Sequence, residues 1–332
     1  MKRGMALRTK DFDYHLPDEL IAARPLPDRA ASRMLVVHRD SGRIEHRMFR
    51  EFPEYLKPDD LLVLNDTKVI PARVFSDDGG IELLCLDRLS PLEWRCLVKP
   101  GKRMKPGRSL MVAGVTGTVM EVFDNGDRLI RWERELDLNT HGHLALPHYM
   151  GRDDEAADRE RYQTVYAREE GAIAAPTAGL HFTPEMLEKL PRAFLTLHVG
   201  VGTFRPVKAE VVSDHIMHSE KFHVSMETAR RVNAAGRMVA VGTTVTRVLE
   251  AIAGGVERIE EKNHQGETDI FIHPPYDFRV VGALLTNFHL PQSTLLMLVS
   301  AFAGRELVME AYRQAVAERY RFYSYGDCML LL

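Results

Sequence analysis

DFRVVGALLTNFHLPQSTLLMLVSAFAG, residues 277–304, compresses a strand, a polar loop and a helix into twenty-eight residues. Val280 to Leu285 is apolar and β-prone. Thr286, Asn287 and His289 follow, and Pro291, Gln292 and Ser293 introduce an unbroken apolar helix that stops at Gly304. Proline near a helix start, serine as N-cap and glycine just past the end are the boundary signals of such a unit. One hydroxyl, one amide and one imidazole therefore sit between strand end and helix start. Free backbone N–H groups at that point can receive an anion, and open α/β sheets bind ligands at such strand ends. A plain strand–loop–helix with a polar loop reads the same way, so this stretch alone leaves function open.

A second unit repeats the arrangement. Arg237 to Val241 (RMVAV) reads as a short buried strand, followed by Gly242, Thr243 and Thr244. Val245, Val248, Leu249 and Ile252 then share one helical face. Glycine permits the tight turn, and one threonine can cap the helix while its neighbour faces a ligand. Arg247, one turn in, is placed to reach a carboxylate or phosphate. No Gly-Lys-Ser/Thr follows, so this is not a Walker loop, and no intact GxGxxG occurs either.

The chain has 332 residues, enough for two domains, with 45% hydrophobic and 27% charged residues, as in ordinary globular proteins. Cys85, Cys96 and Cys328 are scattered, so neither a disulfide frame nor a cysteine metal site is indicated. The N-terminus MKRGMALRTKDFDYHLP lacks the apolar core of a signal peptide, and the longest apolar run falls short of a membrane span. A soluble, cytoplasmic protein is expected. The net charge of −3 advertises no polyanionic partner, but the distribution does. RCLVKPGKRMKPGRSL (95–110) carries six basic residues and no acid, and its two Pro-Gly pairs imply exposed turns. Residues 1–50 hold eleven Lys/Arg against seven Asp/Glu. Such clusters form either a nucleic-acid footprint or a solvated hairpin.

The rhythm changes along the chain. Leu61 to Trp132 is a series of short β-like runs (LLVLN, VIPARVF, GIELLCL, EWRCLV, SLMVAG, GTVMEVF, DRLIRWE) separated by turn residues. These predict a small barrel or sandwich. From about Thr183, helices (184–190, 226–235, 245–253, 294–303, 306–319) alternate with strands (194–198, 238–241, 268–272, 280–285, 322–324), an α/β pattern. Residues 1–60 and 155–332 are assigned to the α/β layer and 61–154 to an inserted barrel. Further polar clusters are NDTKVIPAR (65–73), APTAGLHF (175–182) and the glycine loop HVGVGTFR (198–205). His215, His218 and Glu220 lack the HExxH zinc spacing and read as a hydrogen-bonded cluster, so no metal is expected.

Eight motifs occur in order: NDTKVIPAR, RYQTVYA, AAPTAGLHFT, HVGVGTFRPV, HSE, VGTTVTRVLE, TNFHLPQSTLLMLVSAFAG and YSYGDCMLL. From about Phe12 onward the chain resembles the S-adenosylmethionine:tRNA ribosyltransferase-isomerases of queuosine biosynthesis. That resemblance implies a three-layer α/β/α domain with a mixed sheet and a smaller inserted β-barrel domain. It implies transfer and isomerisation of the ribosyl moiety of S-adenosylmethionine onto 7-aminomethyl-7-deazaguanine at the tRNA wobble position. Epoxyqueuosine-tRNA, adenine and methionine are then the products. S-adenosylmethionine serves as co-substrate, with no prosthetic group, and the expected partner is tRNA, bound by a monomer away from membranes.

Residue roles follow as expectations. His181 or His289 is the base, and Asp66 its partner or the acid. Thr243, Thr244 and Arg247 hold the methionine carboxylate; Asn287 and Thr177 contact ribose or adenine, Thr286 is a further substrate-binding residue, and Phe182 lines the pocket. Lys68, Arg73 and Arg205 meet tRNA phosphates or the substrate carboxylate, and Tyr325 and Asp327 close over the modified base. Lys99, Lys102, Arg103, Lys105 and Arg108 contact tRNA. Two rivals are a methyltransferase, whose glycine-rich loop is not evident, and a non-catalytic RNA-binding module.

Overall fold

The structure, a computed structural model, describes residues 6–200, 202 and 207–332. Its larger sheet has nine strands in the spatial order β15 (His264–Thr268), β13 (Glu220–Val224), β12 (Arg192–Leu197), β3 (Asp60–Asn65), β14 (Arg237–Val241), β16 (Val281–Asn287), β17 (Cys328–Leu331), β1 (Arg33–Val37) and β2 (Ile44–Met48). β12, β3, β14 and β16 form a parallel core. β17 runs antiparallel to β16 and parallel to β1, and antiparallel strands finish both edges, so the sheet is mixed.

Period-two alternation divides the apolar side chains between two layers. Leu61 and Val63 of β3, Met238 and Ala240 of β14 and Met329 and Leu331 of β17 face one layer. There they meet α4 (Met226–Ala234), α5 (Thr243–Ala253), α6 (Thr294–Ala303) and α7 (Arg305–Ala317). Leu62, Leu64, Val239, Val241, Cys328 and Leu330 face the opposite layer, built from Phe49, Phe52, Phe182 and the short helix α3 (Pro184–Glu188). Burying each Leu or Val side chain stabilises by roughly 1.5–3 kcal/mol, which is why these strands read as unbroken apolar runs. α6 starts where Ser293 Oγ accepts the Leu296 N–H at 3.2 Å and ends at Gly304, whose φ of +84° suits glycine.

The second sheet is antiparallel, in the order β5 (Arg73–Phe75), β6 (Glu82–Ser90), β7 (Glu93–Lys99), β10 (Arg128–Trp132), β9 (Val115–Val122) and β8 (Ser109–Val112). It curls into a nearly closed barrel. The gap between its edge strands is bridged by Asp77, whose N–H donates to Met111 C=O at 2.8 Å. The Asp77 carboxylate accepts from the N–H groups of Ala113 and Gly114 at 2.7 and 3.0 Å. Trp94 and Trp132 meet inside at 5.1 Å, and Gly117 is required beside them, because a Cβ there would lie 2.7 Å from the Trp132 ring. Short helices α1 (Leu138–His141) and α2 (Asp158–Arg161) carry the chain back, and β11 (Glu169–Ala172) pairs with β4 (Thr67–Val69) at the junction. Among the described residues no helix is long and apolar enough to cross a membrane.

Three sequence expectations differ from this architecture. LLVLN (61–65), placed in the barrel series, is the central parallel strand of the large sheet, buried on both faces. The run expected at 268–272 pairs instead over His264–Thr268. The strand expected at 322–324 is displaced to Cys328–Leu331: Phe322 makes only an isolated bridge to Ile21, and Tyr323 turns away with φ +71°.

Candidate active site

Adjacent parallel strands β14 and β16 end at the same edge, so the two loops singled out in the sequence meet. Gly242 turns the chain out of β14 with φ +96°, and its N–H donates to Leu285 C=O at 2.8 Å, tying one loop to the other. Thr243 and Thr244 then open α5, whose first-turn N–H groups lack intrahelical acceptors. On the other side, Thr286, Asn287 and His289 leave β16. A cleft with about 100 Å³ of enclosed space lies between them, lined by Thr177, Thr243, Thr244, Thr286, Asn287 and His289 among others. Six residues that the sequence singled out, from three separate motifs, thus share one cavity.

His289 is held from three directions. Its Nε2 lies 2.9 Å from Thr286 Oγ1, its N–H donates to the Tyr312 hydroxyl at 2.9 Å, and its carbonyl accepts from the Tyr14 hydroxyl at 2.5 Å. Nδ1 has no hydrogen-bond partner among the described residues. Burial pushes the ring's pKa down to about 3, so it stays neutral at physiological pH.

His181 lies on the far side of Asn287 and does not line the cleft. Its Nδ1 is 2.9 Å from Ser32 Oγ and its Nε2 is 3.0 Å from Asn287 Oδ1. The Asn287 Nδ2 group donates to the carbonyls of Tyr323 and Ser324 at 2.9 and 3.3 Å, so the oxygen must face the imidazole. His181 therefore carries its proton on Nε2 and accepts from Ser32. Burial, the largest cause, takes its pKa down to about 4. Both ring nitrogens are occupied, which makes His181 the anchor of Asn287.

Other expected residues lie elsewhere. Asp66 is buried, accepting from Thr196 Oγ1 and Arg168 Nη2, both at 2.7 Å; neither histidine is among its partners. Burial raises its pKa, against the pull of Thr196 and Arg168. It fastens β3 to β12 and β11. Phe182 does not line the cleft: it is fully buried, edge-on to Phe49 and Phe52 at 5.0 and 5.6 Å. Arg247 projects from α5 into a neighbouring cleft, where the buried carboxylate of Glu220 neutralises it, and it is not a free carboxylate receptor. Asp327 accepts the Arg33 and Arg321 N–H groups at 2.8 Å each, and Tyr325 donates to Asp158 at 2.7 Å; both brace loops outside the cleft. Lys68 pairs with Glu170 at 2.9 Å, and Arg73 lies 3.2 Å from Glu82 and 3.6 Å from Asp153. Arg205 lies outside the described residues. Lys99, Lys102, Arg103, Lys105 and Arg108 are all exposed on the barrel, and none is in an ion pair among the described residues. Within those residues no group of three or more His, Cys, Asp or Glu is arranged to hold a metal.

The sequence reading missed the aromatic wall. Tyr149, Tyr162 and Tyr323 line the cleft with Ser324, and Tyr149 stacks on Tyr323 at 4.3 Å with 21° between planes. The Tyr149 hydroxyl is bonded to Ser324 Oγ, and burial pushes its pKa up to about 12. RYQTVYA and YSYGDC flagged two of these tyrosines as motif members; nothing local marked Tyr149.

The whole chain, not only these loops, is similar to known proteins. A family described as queuosine biosynthesis protein matches residues 9–331. A relative from Symbiobacterium thermophilum, named S-adenosylmethionine:tRNA ribosyltransferase-isomerase, is 52% identical, covering 98% of this chain and 100% of its own length. One of the same name from Thermotoga maritima is 50% identical with the same coverage. The crystal structure of an S-adenosylmethionine tRNA ribosyltransferase from Thermotoga maritima aligns with a TM-score of 0.56 and 42% identity, over 97% of this chain and 100% of that one. Full-length matches at this identity leave one assignment: the chain belongs to the queuosine biosynthesis protein family and is an enzyme of its ribosyltransferase-isomerase type.

Proposed function

We propose that this enzyme transfers and isomerises the ribosyl moiety of S-adenosylmethionine onto 7-aminomethyl-7-deazaguanine at the wobble position of tRNA. Epoxyqueuosine-tRNA, adenine and methionine are the products, and the reaction runs in the cytoplasm on a monomer. The names of the relatives support S-adenosylmethionine and tRNA as substrates. The observation that carries the reading is the cleft at the ends of β14 and β16. It joins a free helix N-terminus, a neutral imidazole with one open nitrogen and a wall of tyrosines.

Each part has work in that chemistry. N–H groups and hydroxyls of Thr243 and Thr244 receive the methionine carboxylate at the positive end of α5. Stacked Tyr149 and Tyr323 offer ring faces to the sulfonium or to adenine. Asn287, locked by His181, presents its amide to the ribose. His289 removes a proton beside the sulfonium: with Thr286 Oγ1 accepting from Nε2–H, the lone pair sits on Nδ1, facing the cleft. Burial keeps that lone pair free at physiological pH but also weakens it as a base, so the step draws on the acidity that the positive sulfur gives the carbon and on that sulfur's charge leaving as the imidazolium forms. The six-stranded sheet forms an inserted domain whose exposed cations on residues 99–108 meet tRNA phosphates.

Incubation with S-adenosylmethionine and tRNA carrying the deazaguanine precursor tests the proposal. Adenine release that depends on the precursor is expected. S-adenosylhomocysteine as the product, or tRNA binding with no turnover, would return the protein to the two rival classes.

A further inference from the structure

We propose that a second, small pocket, enclosed by Arg29, Arg161 and His181, binds a phosphate of the RNA backbone beside the nucleotide that enters the main cleft. This inference rests on the proposed function. The pocket is shallow and open to solvent, with about 20 Å³ of enclosed space, and is lined by Asp28, Arg29, Ser32, Arg161, His181, Ser324 and Tyr325 among others. Ser324 also lines the main cleft, so the two cavities meet there, separated elsewhere by the His181–Asn287 hydrogen bond.

Its guanidinium groups are bonded to carbonyls rather than to carboxylates. Arg29 donates to the Leu180 and Glu160 carbonyls at 3.1 Å each, and Arg161 to those of Pro27 and Leu26 at 2.8 and 2.7 Å. Arg321, whose charge is felt at the His181 ring, donates to the Arg24 carbonyl. A guanidinium has five N–H donors, so most of each fork is left over. The buried Nε of Arg161 and Nη1 of Arg321 have no acceptor among the described residues. None of the three arginines is in an ion pair among the described residues. Of the carboxylates nearby, Asp28 lines the pocket but caps Ala30 N–H at 2.9 Å and faces exposed Arg50 at 3.5 Å, Asp327 accepts two backbone N–H groups, and Glu160 acts on Arg29 through its charge without an ion-pair contact.

Gathering half-buried guanidinium groups without a counter-charge is costly, and an oxyanion offsets that cost. Arginine forks match phosphate geometry, and so small a recess, about 20 Å³, can admit a phosphate oxygen through its open mouth but no nucleoside. A nucleotide held in the main cleft necessarily brings its phosphodiesters to the cleft edge, whereas the co-substrate carboxylate already has the N-terminus of α5.

The test is titration of wild type, Arg29→Gln and Arg161→Gln with precursor tRNA from low to high salt, and with S-adenosylmethionine and its decarboxylated analogue. Expected are about tenfold or greater loss of tRNA affinity, a salt slope smaller by about one, and unchanged S-adenosylmethionine binding. Arg29→Lys should restore part of the affinity. Wild-type tRNA affinity and slope in both glutamine variants would overturn the site. So would loss confined to S-adenosylmethionine and absent for the decarboxylated analogue, which would give the pocket to the carboxylate. If the wild type neither binds tRNA nor releases adenine, the proposed function itself fails. Should the variants not fold, inorganic phosphate titrated into wild type at fixed ionic strength must shift the His181 ring signals saturably; an absence of any saturable shift overturns the proposal.

Discussion

His289→Gln is the substitution on which the chemistry turns. The ring sits at the mouth of β16, with Thr286 Oγ1 at 2.9 Å from Nε2 and no partner on Nδ1 among the described residues. Glutamine keeps a polar group of similar reach but removes the lone pair, so proton abstraction loses its acceptor. General-base contributions are typically 10²–10⁴-fold, which sets the expected fall in the rate of adenine release at roughly 100-fold or more, with binding of S-adenosylmethionine little changed. Thr286→Val removes the acceptor that selects the Nε2–H tautomer and should cost about tenfold in kcat alone. Because the free ring's pKa is pushed down to about 3, no acid limb from this residue should appear in kcat/KM above about pH 5. Single-turnover adenine release across pH, with tRNA saturating, gives both numbers. If His289→Gln retained more than a tenth of wild-type rate, or if kcat/KM fell with an apparent pKa near 6.5 that the variant abolished, the assignment of base and tautomer would be wrong.

Further outcomes follow from the same structure. His181→Ala orphans Ser32 Oγ and Asn287 Oδ1 and opens space beside Phe49, so urea denaturation should show a loss of about 3–5 kcal/mol; a change below about 1 kcal/mol would contradict the anchoring role. Both buried histidines have folded pKa values below 6.5, so the unfolded state binds more protons as pH falls through 6.5 toward 4 and then 3. Stability is therefore fully present above about pH 6.5 and declines below it, by about 3 kcal/mol from His181 alone; a flat denaturation midpoint from pH 7 to pH 4.5 would count against both. Gly117→Val drives a side chain into Trp132 and should destabilise the barrel by about 1–3 kcal/mol, read as a lower midpoint; an unchanged midpoint would show that the ring can move aside. Replacing Lys102, Arg103 and Lys105 together by Ala should weaken tRNA binding and reduce its salt slope by two to three, about one per lost phosphate contact, while S-adenosylmethionine binding stays the same; unaltered tRNA affinity would leave the loop a solvated hairpin.

Much of this molecule is visible in local pattern. The helices that cover one face have boundaries set by Ser225, Ser293 and Gly304, and the two strand–loop–helix units place Thr243, Thr244, Thr286, Asn287 and His289 together because parallel neighbours end on one edge. What local pattern does not carry is pairing over distance. LLVLN has the apolar run of a doubly buried parallel strand, but its neighbours β12 and β14 come from more than a hundred residues later, so spacing alone grouped it with the barrel strands that follow. Charged residues misled for a related reason. Asp66 and Asp327 are in strong motifs, yet each is bonded by a segment more than a hundred residues away, and Arg73 and Arg247 meet carboxylates on other elements, which turns apparent ligand-binding groups into braces. Tyr149 joins the cleft by stacking on Tyr323 and bonding to Ser324, contacts across 174 and 175 residues with no signature in either segment.

The central claim is that sugar, not methyl, leaves the co-substrate. S-adenosylmethionine carrying ¹³C either in every ribose carbon or in the methyl group alone, reacted with precursor tRNA and followed by mass spectrometry of the digested nucleosides, decides it. Ribose label in the modified nucleoside and methyl label wholly in released methionine are predicted. Methyl label in the tRNA, with the ribose label retained in S-adenosylhomocysteine, would contradict the account.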